Sequence, residues 1–324
     1  MQISVCNKSY CLNDFCVIFF YRKDCEYDHM FEEFVEEQVT LSNGISIRVR
    51  HKGTGSPVLL LHGYPQTSAC WHAVAPHLLN AGYCVVIPDL RGYGGSDKPD
   101  STADHSPYSK REMAMDQVLL MQQLGHEQFY LVGHDRGGRV AHRLALDHPE
   151  QVLKIAVLDI APTISMYQQT DKLFATAYYH WFFLIQPTPL PETLIAANPD
   201  FYLRSKLAAW GRSGMSAYND SAIEEYINYF ADWSAIHASC EDYRAAATID
   251  LQHDTADEEK RIQCPLLALW GEKGLLEQLY DVLAFWREKA DMVEGRGLPC
   301  GHFLPEEEPE RTSLALIEFF SYPH

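Results

Sequence analysis

Phe129-Tyr-Leu-Val-Gly133-His-Asp135-Arg-Gly137-Gly-Arg139 decides how this chain is read. A short apolar run ends in Gly-x-Asp-x-Gly, and a helix-compatible segment follows. This is the pattern of a nucleophile elbow, in which a strand turns sharply into a helix and holds one side chain out into a pocket. Gly133 and Gly137 permit the turn because they carry no Cβ. The tip of such an elbow usually carries serine, and here it carries Asp135. A serine attacks carbonyl carbon, whereas a carboxylate can displace a leaving group from saturated carbon and stay attached as an ester. Arg136 and Arg139 follow within one helical turn, and their guanidinium forks suit a carboxylate. The helix dipole disfavours cations at that end, so their presence there points to an anionic substrate.

Working outward, Pro57–Leu61, Tyr83–Ile87, Val152–Leu158 and Pro265–Leu269 are further apolar runs of strand length, as expected of buried parallel strands. Thr40–Val49, with Asn43-Gly44 at its turn, reads as a hairpin. Trp71–Asn80, Ser109–Leu124, Gly138–Asp147 and Thr312–Phe320 read as helices. Strands alternating with helices give an α/β class with a mostly parallel central sheet. From Pro162 to about residue 253 the chain is helical in pattern and rich in aromatics, which reads as a helical cap inserted over the strand ends where sites on such sheets lie. The expected division is a core of 30–161 and 254–324, a cap of 162–253, and an extension of 1–29. That extension holds four of the nine cysteines without periodicity, so Met30 is expected to be the natural start; the mass of the native N-terminus tests this. The acidic runs Asp254–Lys260 and Glu306–Glu310 are expected to be solvated surface.

The chain has 324 residues, 47% of them hydrophobic and 22% charged, enough to bury a sizeable core. Its formal net charge of −18 argues against nucleic acid and anionic membranes as partners. An anionic substrate would then need a local positive site. The cysteines are odd in number and lack Cys-x-x-Cys spacing, so neither a disulfide framework nor a zinc site is expected. Reduced thiols in a cytoplasmic protein are the expectation. No apolar run approaches the roughly 18 residues of a membrane span, and no cofactor is expected.

The other catalytic parts follow in chain order. Gly301-His302-Phe303, in a loop before the last helix, supplies a base. The orienting acid is assigned to Asp159, at the end of the strand Val152–Leu158, with Glu272 a weaker candidate. His62-Gly-Tyr-Pro65 occupies the oxyanion-loop position, so the backbone N–H groups of Tyr64 and Arg136 could stabilise an oxyanion.

Taken together, Gly133–Arg139, His62–Pro65, Asp89-Leu-Arg-Gly-Tyr-Gly-Gly-Ser96, Leu158-Asp159-Ile, Tyr179-His180-Trp181, Ser239-Cys-Glu-Asp-Tyr243-Arg-Ala and Gly301-His302-Phe303 resemble the fluoroacetate dehalogenases of the α/β-hydrolase superfamily, over roughly residues 31–322. The resemblance implies Asp135 as nucleophile, His302 as base and Asp159 as its partner. It implies Arg136 and Arg139 as a clamp on the substrate carboxylate, His180, Trp181 and Tyr243 around the departing halide, and Trp210 in the pocket wall. It also implies a homodimer and a small haloacid substrate, hydrolysed through an ester on Asp135. Tyr64 departs from the Phe of the best-known relatives.

Two rivals stand beside this reading. An epoxide hydrolase also uses an Asp nucleophile, with cap tyrosines protonating the epoxide oxygen, and Tyr178, Tyr179 or Tyr243 could serve. Many such enzymes carry Trp after the nucleophile, where this chain has Arg136. A non-catalytic receptor for a small acid is the other rival, and an intact Asp135, His302 and Asp159 argues against it.

Overall fold

A computed structural model describes residues 30–322 of the chain, so the extension 1–29 lies outside the described residues. Eight strands form one sheet: β1 Val35–Thr40, β2 Ser46–Lys52, β3 Pro57–Leu61, β4 Cys84–Pro88, β5 Phe129–His134, β6 Val152–Leu158, β7 Leu266–Gly271 and β8 Val293–Leu298. Their spatial order is β1-β2-β4-β3-β5-β6-β7-β8. The pairs β1/β2 and β2/β4 are antiparallel and the rest are parallel. This is the α/β-hydrolase architecture. The apolar runs fill its centre: Val58–Leu61, Val85–Ile87, Leu131, Val132 and Ile155–Leu158 are essentially inaccessible. Each such side chain contributes roughly 1.5–3 kcal/mol of burial.

The hairpin extends further than the sequence suggests, with Val35 paired to His51 and Thr40 to Ser46. Trp71–Asn80 is not one helix but a 3-10 turn at Ser68–Trp71 and a helix at Ala75–Asn80. Pro76 lacks an N–H, so it sits in the first turn of that helix rather than inside a longer one. The helix after the elbow begins at Arg136, two residues before the expected Gly138. The last helix runs from Pro309 to Ser321. Strand β8 went unread because Val-Glu-Gly-Arg-Gly-Leu is charged and glycine-rich. Gly295 is needed there, since a Cβ would collide with the backbone carbonyl of Ala268 on β7.

Between β6 and β7 the chain forms only helices, from Thr163 to Ala256, and these make the cap. Ion pairs hold it to the sheet. Arg48 and Arg50 of β2, both buried, reach Glu225 on the cap helix Asp220–Phe230. Among the described residues, no helix is long and apolar enough to cross a membrane. Cys70, Cys84, Cys240, Cys264 and Cys300 are free thiols.

The acidic runs depart from the solvated surface expected of them. Asp257 accepts from Arg111 and Arg143. Glu306 is 5% exposed and accepts from Gln66 and from the Tyr226 hydroxyl. Burial pushes the Glu306 carboxyl up to about 8. An acid whose folded value lies above its unfolded one leaves the unfolded state binding fewer protons, so stability falls as pH rises from about 4.5 to about 8. Glu306→Gln keeps the shape and removes that loss. Its melting temperature should therefore match the wild type near pH 4.5 and exceed it by a few degrees (about 1–2 kcal/mol) at pH 8.5. Thermal melts at both pH values check this, and a gap that does not widen with pH would contradict it.

Candidate active site

The elbow is built by steric necessity. Strand β5 ends at His134 and the helix starts at Arg136, which leaves Asp135 alone at the tip with φ 48°. That conformation costs a non-glycine residue of order 1–3 kcal/mol and persists only where the surroundings enforce it. The sequence reading gave the turn itself to the glycines, but the residue with positive φ is Asp135. The glycines allow close approach instead. A Cβ on Gly133 would strike the Gly137 carbonyl, and one on Gly137 would strike the His62 carbonyl.

Asp135 meets the base and the loop after β3. Its Oδ2 lies 3.8 Å from His302 Nε2, and its Oδ1 accepts the Tyr64 backbone N–H at 2.8 Å. His302 Nδ1 lies 2.6 Å from Asp159 Oδ2. Asp159 follows β6 at φ 52°, and its Oδ1 accepts the Gly271 N–H at 2.9 Å. Glu272 is exposed and lies against Gly297 of the edge strand. Burial opposes charge on Asp135, but His302, Arg136 and Arg139 outweigh it and hold its carboxyl below the usual range. Burial likewise opposes a charged His302, and Asp159 and Asp135 outweigh it, so its value is raised. The arrangement can present an ionised carboxylate, a base oriented by an acid, and an N–H donor aimed at the carboxylate oxygen.

A second tier surrounds Asp135. The Arg136 guanidinium lies over the Tyr243 ring at 4.2 Å, and that of Arg139 over the Trp181 ring at 4.6 Å. His180 contacts Tyr243 and Trp210 at 5.7 and 4.4 Å between ring centroids. Trp210 meets His302 at 5.8 Å. The fork expected of Arg136 is already occupied. Its Nε and Nη2 donate to Asp242 at 2.9 and 2.8 Å, and only Nη1 is buried without a partner. Asp242, wholly buried, also receives Lys110 and the Tyr93 hydroxyl. This counter-ion is what allows a guanidinium at the start of a helix. Arg139 differs: it donates to the Ala161 carbonyl and to Thr163, its Nε has no partner, and no carboxylate pairs with it among the described residues. The Tyr243 hydroxyl and His180 Nδ1 are also buried without partners. Burial, with Lys206 nearby, pulls His180 well below the ordinary imidazole value, so it is neutral.

A cleft of about 410 Å³ opens in front of Asp135, His302, Asp159, His180 and Trp210. Arg136, Arg139, Trp181 and Tyr243 stand outside its walls, in the buried tier.

Three residues that the sequence reading passed over hold the site in place. Glu307 accepts the N–H groups of Gly301 and Phe303, on either side of His302, and those of Arg212 and Ser213 from the cap. His134 shares a hydrogen bond with the His302 carbonyl, and Asp242 seats Arg136. Only Asp242 left a trace in sequence, as an acid beside Tyr243 in a chain with a buried arginine to neutralise. Glu307 looked like one of a run of surface acids.

The comparisons agree with this geometry. The α/β hydrolase fold family matches residues 56–309. A fluoroacetate dehalogenase from Burkholderia sp is 46% identical, with 90% of this chain and 95% of that protein covered. A soluble epoxide hydrolase from Corynebacterium sp. (strain C12) is 30% identical, with 90% and 99% covered. A crystal structure from Nostoc sp PCC 7120 is 58% identical with a TM-score of 0.89, covering 90% of this chain and 100% of that one. The chain belongs to the α/β-hydrolase fold family and is an enzyme of that superfamily related both to a fluoroacetate dehalogenase and to epoxide hydrolases.

Proposed function

We propose that the protein hydrolyses the carbon–halogen bond of a small haloacid such as fluoroacetate or chloroacetate. The observation that carries this reading is the charge in the buried tier. Arg136 and Arg139 lie beside Asp135, each with one buried N–H group unpartnered, and Arg139 lacks a carboxylate. Each unmet donor costs about 1–3 kcal/mol, more when charged, and a substrate carboxylate would satisfy both. A neutral substrate would leave them unmet.

In this reading Asp135 attacks the carbon that bears the halogen, on the face opposite the halide. The halide leaves with the bonding pair toward His180, Trp181 and Tyr243. Fluoride is a poor leaving group and needs donors aimed at its developing charge. Burial pushes the Tyr243 phenol far up, so its hydroxyl remains a donor. Water activated by His302 then attacks the Asp135 carbonyl carbon, and the Tyr64 N–H supports the resulting oxyanion. A 2-hydroxy acid, halide and a proton are released.

Arg139→Met should lower kcat/KM for chloroacetate by about 30- to 10³-fold, the usual loss when one member of a buried charge pair is truncated. Steady-state kinetics check this, and a loss under threefold would remove Arg139 from the clamp.

Epoxide opening is the second reading. It is favoured by the unpartnered Tyr243 hydroxyl and neutral His180, donors that would suit an epoxide oxygen, and by the several epoxide hydrolases among the relatives. Halide release from fluoroacetate and chloroacetate, run beside an epoxide panel, separates the two. Halide release supports the first reading; diol formation with no halide supports the second.

A further inference from the structure

The cleft is much larger than a two-carbon haloacid requires. It encloses about 410 Å³, its open mouth included, which falls in the range of pockets that take drug-sized ligands. Its outer wall is built for apolar bulk. Ala177, Ala209 and Gly274 withhold side-chain volume there, while Tyr178, Trp210 and Leu275 offer apolar faces. The groups suited to a carboxylate and a halide are placed elsewhere. Arg136, Arg139, Trp181 and Tyr243 lie in the buried tier, and of the halide-site residues only His180 reaches the cleft. The reacting carbon of a 2-halo acid carries a carboxylate, a halogen, a hydrogen and one further substituent. Once the buried tier holds the first two, the cleft is the space left for the last.

We propose that the cleft is a subsite for an apolar group on C2, and that the substrate class is 2-halo acids bearing an alkyl or aryl substituent rather than haloacetates alone. This rests on the haloacid reading above. The chemistry is unchanged: the C2–halogen bond breaks as the bond from C2 to Asp135 Oδ forms, halide leaves with the electron pair, and hydrolysis of the ester gives the 2-hydroxy acid and a proton.

The test is chloride release from 2-chloropropionate, 2-chlorobutyrate and 2-chlorohexanoate, which share a secondary reacting carbon and differ only in chain length, with chloroacetate as reference. Each methylene buried in the cleft should raise kcat/KM about fourfold along the series. Ala209→Phe should abolish that rise, lowering the ratio of 2-chlorohexanoate to chloroacetate at least about tenfold. A flat or falling series, with chloroacetate turned over, overturns the subsite and leaves the haloacid reading intact. Equal loss for every acid in Ala209→Phe makes the cleft an access path only, which also overturns it. Absence of chloride from all four acids would remove the haloacid reading itself.

Discussion

Asp135→Ala is expected to abolish halide release, by on the order of 10⁴-fold or more in kcat, because it removes the atom that forms the new bond. No neighbouring carboxylate can replace it. Asp159 is committed to His302 and to the Gly271 N–H, and Asp242 is enclosed by Arg136, Lys110 and Tyr93. The fold should tolerate the change. Alanine bears the same backbone cost at φ 48° as aspartate does, and removing an ionised group from a buried site relieves desolvation. Melting temperature near the wild-type value together with lost turnover is the expected pair of results. Turnover within about tenfold of wild type would exclude a nucleophilic role.

His302→Asn is expected to stop the reaction halfway. Alkylation of Asp135 needs no base, so one equivalent of halide should appear. Hydrolysis of the ester does need one, and asparagine cannot accept the proton from water. The peptide that contains Asp135 should then carry the mass of the acid residue without its halogen. Halide release without that adduct would contradict the assignment of His302 to water activation. The wild-type enzyme gives a matching pH signature. Asp159 and Asp135 raise His302 above its ordinary value, and only the neutral imidazole accepts a proton. Ester hydrolysis should therefore slow as pH falls through that raised value, while Asp135, held below the usual carboxylate range, stays ionised.

The parts of this site that a sequence reveals are those with local grammar. Asp135 is announced by its two glycines and the strand before it, and His302 by Gly-His ahead of the last helix. Asp159 was reached through its strand end, and the structure places its carboxylate 2.6 Å from His302. Asp242, Glu307 and His134 were passed over because their roles depend on residues far away in the chain. Asp242 bonds Arg136 from another element, and Glu307 gathers N–H groups from residues 212–213 and 301–303. The same limit applied to Arg136, whose fork looked free until its counter-ion was located. In the fold, the buried strands were legible as unbroken apolar runs. Strand β8 was not, since an edge strand holding Gly295 against Ala268 resembles a loop in composition.

The central claim is that the bond to carbon is made by an oxygen of Asp135 and not by water. A single turnover of chloroacetate in heavy-oxygen water, with enzyme in excess, tests it most directly. The account predicts unlabelled glycolate from that first turnover, because its hydroxyl oxygen comes from Asp135, and label in the Asp135 carboxylate afterwards. Labelled glycolate in the first turnover, with Asp135 unlabelled, would mean that water attacks carbon directly and would contradict it.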